Sequence, residues 1–142
     1  MAVGRPVFRR PWEVDESIVP EVCQVIAQAL GRPAAAVRPD TRVIDDLGID
    51  SLDVLDLVFS LEQAFGIEIT RGALEQAARG DMSDEEFAPA GVVSPAGLER
   101  LRALMPEAAS HITDGLRPRE IVRLFTARTF ARIVSAQRGQ LQ

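Results

Sequence analysis

The stretch from Ser51 to Phe65 constrains the fold more than any other part of the chain. Apolar side chains recur there at three- and four-residue steps (Leu52, Leu55, Val58, Phe59, Leu61, Phe65), while Asp53, Asp56, Glu62 and Gln63 take the other side. That spacing is the period of an amphipathic helix, and its apolar residues are expected to face a core. Gly66 marks its end. Val54 and Phe59 fit either the core or an outward contact surface.

Other helices follow from the same reasoning. A first helix is expected from Asp15 to Leu30, where Ile18, Val22, Val25, Ala29 and Val19, Cys23, Ile26, Leu30 form two adjacent apolar stripes, ended by Gly31 and Pro33. Residues 31–50 read as an ordered loop anchored by Val37, Val43, Ile44 and Leu47. Thr70 to Arg79 reads as a short helix ended by Gly80, and Asp81 to Gly91 as acidic and irregular. Ser94-Pro95 is a strong helix start, with Leu98, Leu101, Leu104 and Met105 as its stripe. Thr126 is placed to cap a last helix carrying Phe130, Ile133 and Val134. The expected fold class is all-α: a small helical bundle over 14–142 as a single domain, preceded by a loose arm at 1–13 with Pro6 and Pro11.

Composition narrows the function. The net charge is −5 and the pI about 4.9, against a nucleic-acid binder or a ligand of anionic membranes. The charge is unevenly spread. From Asp40 to Ile69 eight acids face a single base, Arg42, while beyond Gly97 eight bases, all Arg, outnumber four acids. The tail arginines Arg117, Arg119, Arg123, Arg128, Arg132 and Arg138 have acids nearby, so they are expected to pair with the acidic half or to lie on a solvated face. A lone Cys23 permits no internal disulfide and offers no metal-ligand spacing, so no metal is expected. Without a signal-type apolar segment behind the first arginines, the expected location is cytoplasmic, with no stable membrane insertion.

The chemistry concentrates in Asp45-Asp46-Leu47-Gly48-Ile49-Asp50-Ser51-Leu52-Asp53. Gly48 permits a turn that other residues resist, and the turn delivers Ser51 to the first position of the helix. Backbone N–H groups and the positive helix end there favour a phosphate. The same place suits a nucleophile badly: no His or Lys neighbour can act as base, and the single His is at position 111. Ser51 therefore reads as the substrate of another enzyme.

From Val22 through Ile69 the chain resembles the acyl carrier protein family. The features that carry the resemblance are Ala29-Leu30-Gly31, the long loop, the Asp45–Leu52 run, Leu57-Val58, Leu61-Glu62, Phe65 and Ile67-Glu68-Ile69; further on, Phe125-Thr126 with Phe130 and Val134 resembles the start and core face of the family's last helix. The resemblance implies a carrier, not an enzyme. Ser51 would hold a 4'-phosphopantetheine arm taken from coenzyme A by a phosphopantetheinyl transferase, and the arm's thiol would carry acyl groups. It also implies that Asp50, Leu52, Asp53, Asp56 and Glu62 meet acyl-loading and acyl-processing enzymes, with the protein acting as a monomer in fatty-acid or lipid metabolism. Carriers of polyketide or aminoacyl intermediates share the same serine-bearing helix, and an unmodified interaction module would keep the fold.

Two departures from the family pattern stand out. Between Ile69 and Phe125, where a short link and a short third helix are usual, this chain has 55 residues, of which 70–118 read as an insertion. Its 94–105 helix is expected to lie beside the Ser51 helix and the last helix, either roofing the place where an acyl chain enters or serving as a structural cap or a partner-docking element. Gln63 and Ala64 also stand uncharged on the recognition helix, pointing to partners other than those of general fatty-acid synthesis.

Overall fold

The computed structural model describes residues 16–69, 79 and 82–140. Arm 1–13 lies outside the described residues, as does the helix expected over 70–79 except for Arg79. Five α-helices are described: α1 (Val19–Ala29), α2 (Ser51–Phe65), α3 (Asp84–Phe87), α4 (Pro95–Leu104) and α5 (Ala127–Gln140). Shorter 3-10 turns cover Glu16–Ile18, Ala34–Ala36, Pro106–His111 and Pro118–Leu124. No β-strand occurs among the described residues; the single isolated bridge joins Arg42 to Thr126. The architecture is all-α, as expected.

Helix α1 is central, packing on both α2 and α5. Its two stripes explain this: Val19, Val22, Cys23, Ile26 and Ala27 are buried, with Val25, Ala29 and Leu30 half-buried around them. Burial pushes the Cys23 thiol above its ordinary value, as suits a small core residue.

The register of α2 differs from the expectation in one respect. Leu57 and Leu61 are its fully buried residues, flanked by half-buried Val54, Val58 and Phe65. Leu52, expected to meet partners, and Phe59, left open between core and contact surface, are exposed by 70% and 60%, and Leu55, whose spacing alone would place it in the core, is exposed by 65%. The helix has more apolar residues than one buried face can hold. Its core stripe runs through 54, 57, 58, 61 and 65, and a second stripe is turned outward.

Between α2 and α5 the acidic run is less irregular than its composition suggests. Ser83 caps α3 by accepting the Glu86 N–H at 3.1 Å, while Glu86 accepts the Ser83 N–H at 2.9 Å, the reciprocal pair of a capping box. Arg79 is salt-bridged to Asp84. Helix α4 begins as its sequence implies, with Ser94 capping the Gly97 N–H at 3.1 Å, and Leu98, Leu101, Leu104 and Met105 are all buried. Its placement beside α2, however, is not what the structure shows. Helix α4 packs chiefly on α3 and on Pro106–His111, where Phe87, Val93, Ala108 and Ile112 supply apolar cover.

A polar knot ties this segment to α5. Arg132 on α5 grips Glu107 with two nitrogens, at 3.1 and 3.2 Å, and Thr126 Oγ1 donates to the same carboxylate at 2.5 Å. Thr126 and Thr129 cap α5 reciprocally, each hydroxyl accepting the other's N–H at 3.1 Å.

Candidate functional site

The loop ahead of Ser51 is braced from several directions. Its backbone is stitched to the start of α5: Val43 N–H donates to Phe125 O at 3.0 Å, Ala127 N–H to Thr41 O at 3.1 Å, and Arg128 N–H to Pro39 O at 2.9 Å. Two first-turn donors of α5 are thereby satisfied by loop carbonyls. Arg32 Nη2 donates to Leu47 O at 2.6 Å. Buried Val37, Val43 and Leu47 anchor the loop from below. Gly48 then turns with φ +66°, a conformation that side-chain-bearing residues rarely adopt.

Asp50, not Ser51, is the N-cap of α2. Its Oδ1 accepts the N–H groups of Leu52 and Asp53, both at 3.0 Å, and Asp53 returns the favour by accepting the Asp50 N–H at 3.3 Å. Ser51 is the first helical residue. This corrects one expectation. The serine is not needed to start the helix. The N–H groups expected to attract a phosphate are, at Leu52 and Asp53, already bonded to a carboxylate.

The other expected site residues fall into two sets. Glu62 is turned back on its own chain, its Oε2 accepting the Ile69 N–H at 2.8 Å beyond the Gly66 C-cap. Asp56 is exposed, and beside it stand exposed Leu52, Leu55 and Phe59, three and four residues apart. Leu55 is a surface residue that reasoning from periodicity alone places in the core, and Phe59, which fitted either place, is on the surface as well. The signal that separates them is the surplus of apolar positions around α2.

Beside Phe59 an open groove of about 430 Å³ runs between α1 and α2, lined by Val25, Gln28, Ala29, Phe59, Ser60, Gln63 and Ala64. No residue of α4 lines it.

Charges from the two halves of the chain meet around the loop. Arg42 binds Asp46 through its backbone N–H at 2.8 Å and its guanidinium at 3.1 Å, and lies 3.6 Å from Asp45. Arg123 binds Asp45 at 3.0 Å, and Arg128 binds Glu16 at 2.6 Å. Arg138 sits over the Phe65 ring, 5.9 Å from its centre. Of the tail arginines, Arg123 thus pairs with the acidic half as expected, whereas Arg128 and Arg132 pair with Glu16 and Glu107 outside it. Among the described residues no group of three or more His, Cys, Asp or Glu side chains is placed to hold a metal ion. None of their helices is long and apolar enough to cross a membrane.

The surroundings of Ser51 fit a covalently attached arm. Asp50 and Leu52 are exposed on either side, so a group bound there has a path to solvent. Residues 20–79, which include this turn, match the family model described as "Phosphopantetheine attachment site". An acyl carrier protein of Solidesulfovibrio magneticus is 44% identical over 54 residues, covering 38% of this chain and 69% of that one. "Acyl carrier protein AcpXL" of Rhizobium etli is 41% identical over 68 residues, covering 47% of this chain and 74% of its own length. No solved structure gives a significant match. Identity and coverage of this order, over a helix pair and a braced serine turn of the kind described, establish that the chain belongs to the acyl carrier protein family, whose members are carriers bearing covalent 4'-phosphopantetheine and not enzymes.

Proposed function

We propose that Ser51 is the residue that bears the 4'-phosphopantetheine arm, and that the protein presents acyl thioesters to the enzymes of a specialised fatty-acid or lipid pathway. The observation that carries this reading is the arrangement at the start of α2: Asp50 caps the helix, and Ser51 stands as its first residue at the end of the braced turn, between exposed Asp50 and Leu52. When bound, the arm supplies a thiol for acyl transfer. The chain's own residues supply presentation: Gly48 makes the turn, Arg32 and the α5 backbone hold it, and Asp50 starts the helix.

Partners dock, in this reading, on the outward stripe Leu52, Leu55 and Phe59 together with Asp56. Asp50, Asp53 and Glu62 contribute charge to the same side while their carboxylates serve the helix ends. Attraction at a distance speeds encounter, and the apolar stripe supplies contact area. The specialised pathway is supported by uncharged Gln63 and Ala64, by the 55 residues between Ile69 and Phe125, and by the similarity to the Rhizobium etli protein. We take residues 14–142 as one domain with 70–118 as an elaboration, acting as a cytoplasmic monomer.

Intact mass decides the matter. With coenzyme A and a broad-specificity phosphopantetheinyl transferase, the wild type gains one arm and Ser51→Ala gains none. Labelling elsewhere, or no labelling by several transferases, would leave an unmodified interaction module. The mass of protein isolated from its native host then identifies the acyl group.

A further inference from the structure

Four charges meet in the turn that leads to Ser51. Arg123 donates from Nε at 3.1 Å and Nη2 at 3.0 Å to a single oxygen of Asp45, reaching across 78 positions of sequence. Arg42 holds Asp46 and touches Asp45 from the other side. Arg42, Arg123, Asp45 and Asp46 sum to zero, whereas the same loop without Arg123 carries a net negative charge.

Stability does not account for the Arg123 contact. Its side chain is 63% exposed, and exposed ion pairs contribute little. The loop is also held where Arg123 is not needed, by the three backbone hydrogen bonds to Phe125, Ala127 and Arg128 and by Arg32 on Leu47 O. What Arg123 changes is the potential around the serine turn. A partner approaching Ser51 meets charges balanced at Arg42, Arg123, Asp45 and Asp46, and the acids it meets beyond them belong to the start and outward face of α2, at Asp50, Asp53 and Asp56.

We propose that Arg123 is a specificity-determining residue that masks Asp45, so that partners are selected for a compact cationic patch matched to α2 and not for a broad one that also spans the loop. This rests on Ser51 being the modified residue. It gives the segment after residue 118 a function: to deliver one guanidinium to the acidic half of the protein. A carrier without this mask would offer its loop acids to every basic partner, and the mask removes that common attraction.

The test uses the apo protein, coenzyme A and a phosphopantetheinyl transferase selected because its KM for the carrier rises on Asp56→Asn. Arg123→Ala should lower that KM about twofold at low salt with kcat unchanged, and Arg123→Glu about fourfold, as expected for one or two charges screened by water. In about 1 M salt, where the Debye length is about 3 Å, the differences should vanish. Adding Asp45→Asn to Arg123→Ala should restore the wild-type KM, and Arg123→Lys should retain most of the mask. A KM that is unchanged or raised in Arg123→Ala at low salt overturns the proposal, as does a fall in kcat, which would mean that Arg123 positions the turn. Failure of the Ser51 assignment is separately visible, because Ser51→Ala would then still gain mass.

Discussion

Glu107 and Arg132 meet in a two-pronged ion pair that is almost closed to solvent, their side chains 11% and 6% exposed. Two threonine hydroxyls of the α5 cap complete the carboxylate's partners, Thr126 at 2.5 Å and Thr129 at 3.4 Å. The pair joins the Pro106–His111 turn to the last helix. Breaking a buried pair by removing one partner costs about 3 kcal/mol or more, because the other charge loses its counter-ion. Glu107→Ala should therefore lower Tm by about 10 °C in a chain of this size. Thermal unfolding followed by circular dichroism measures this, and a drop of only a degree or two would mean that the knot is dispensable.

The same carboxylate gives stability a pH dependence. Burial pushes Glu107 up, but hydrogen bonds from Arg132 and Thr126, with the Arg132 charge, outweigh it and leave Glu107 below its ordinary value. A group whose folded pKa is depressed stabilises the fold fully above its unfolded value, about 4.3 for glutamate, and loses that contribution as pH falls through the folded value. Wild-type Tm should accordingly fall more steeply below about pH 4.3 than that of Glu107→Gln. Parallel curves for the two proteins would remove Glu107 as the source.

Ser51 and Asp50 should respond to alanine in opposite ways. Asp50→Ala removes the cap of α2 and should cost about 1 kcal/mol. Ser51→Ala lies at a position good for alanine in a helix and should leave stability within about 0.5 kcal/mol of wild type while abolishing arm attachment. Urea titrations paired with mass spectrometry separate the two effects, and a large stability loss in Ser51→Ala would assign the serine a structural role after all.

The outward stripe of α2 should behave as a contact surface. Leu52→Ala, Leu55→Ala and Phe59→Ala each remove an exposed side chain, so Tm should hold within a few degrees, whereas Leu57→Ala should cost about 2–5 kcal/mol. If the stripe docks partners, the three outward variants weaken acyl loading. Asp56→Arg slows it mainly through the association rate, with salt affecting the wild type more than the variant. Loading unchanged by all four would place the contact surface elsewhere.

Gly97 tests the junction of α3 and α4. Helix propensity favours alanine over glycine by about 1 kcal/mol. Yet a Cβ at Gly97 would lie 2.7 Å from Val93 Cγ1, 3.0 Å from Phe87 Cδ1 and 3.0 Å from the Phe87 carbonyl oxygen. Ser94 N–H bonds that same carbonyl at 2.7 Å, so it has little room to retreat. Crowding of this kind costs about 1–3 kcal/mol, and Gly97→Ala should be net destabilising. A raised Tm would show that the junction yields.

How far the sequence discloses these features depends on the kind of signal. Helices α1, α2, α4 and α5 are legible because apolar periodicity and caps such as Ser94-Pro95 are local. The outward position of Leu55 is not, and that of Phe59 is left open, because a helix apolar on two sides has no periodic mark saying which side meets the core. Ser83 and Glu86 do carry a legible capping box, hidden in an acidic run that reads first as loop. Glu107 carries no mark at all: its importance lies in Thr126, Thr129 and Arg132, far along the chain. For the site, the turn at Gly48 and the position of Ser51 are legible, whereas capping by Asp50 instead of Ser51 is a choice between adjacent side chains that only the backbone path decides.

The backbone stitching of residues 39–43 to residues 125–128 has a consequence in time. Those bonds span more than half of the chain, and none can close until the start of α5 has left the ribosome. Closing so long a loop is entropically unfavourable, and other native contacts have to offset that cost. The serine turn therefore receives its final brace only after residue 128 has been made, and a chain interrupted before residue 125 would offer a modifying enzyme a turn without its scaffold.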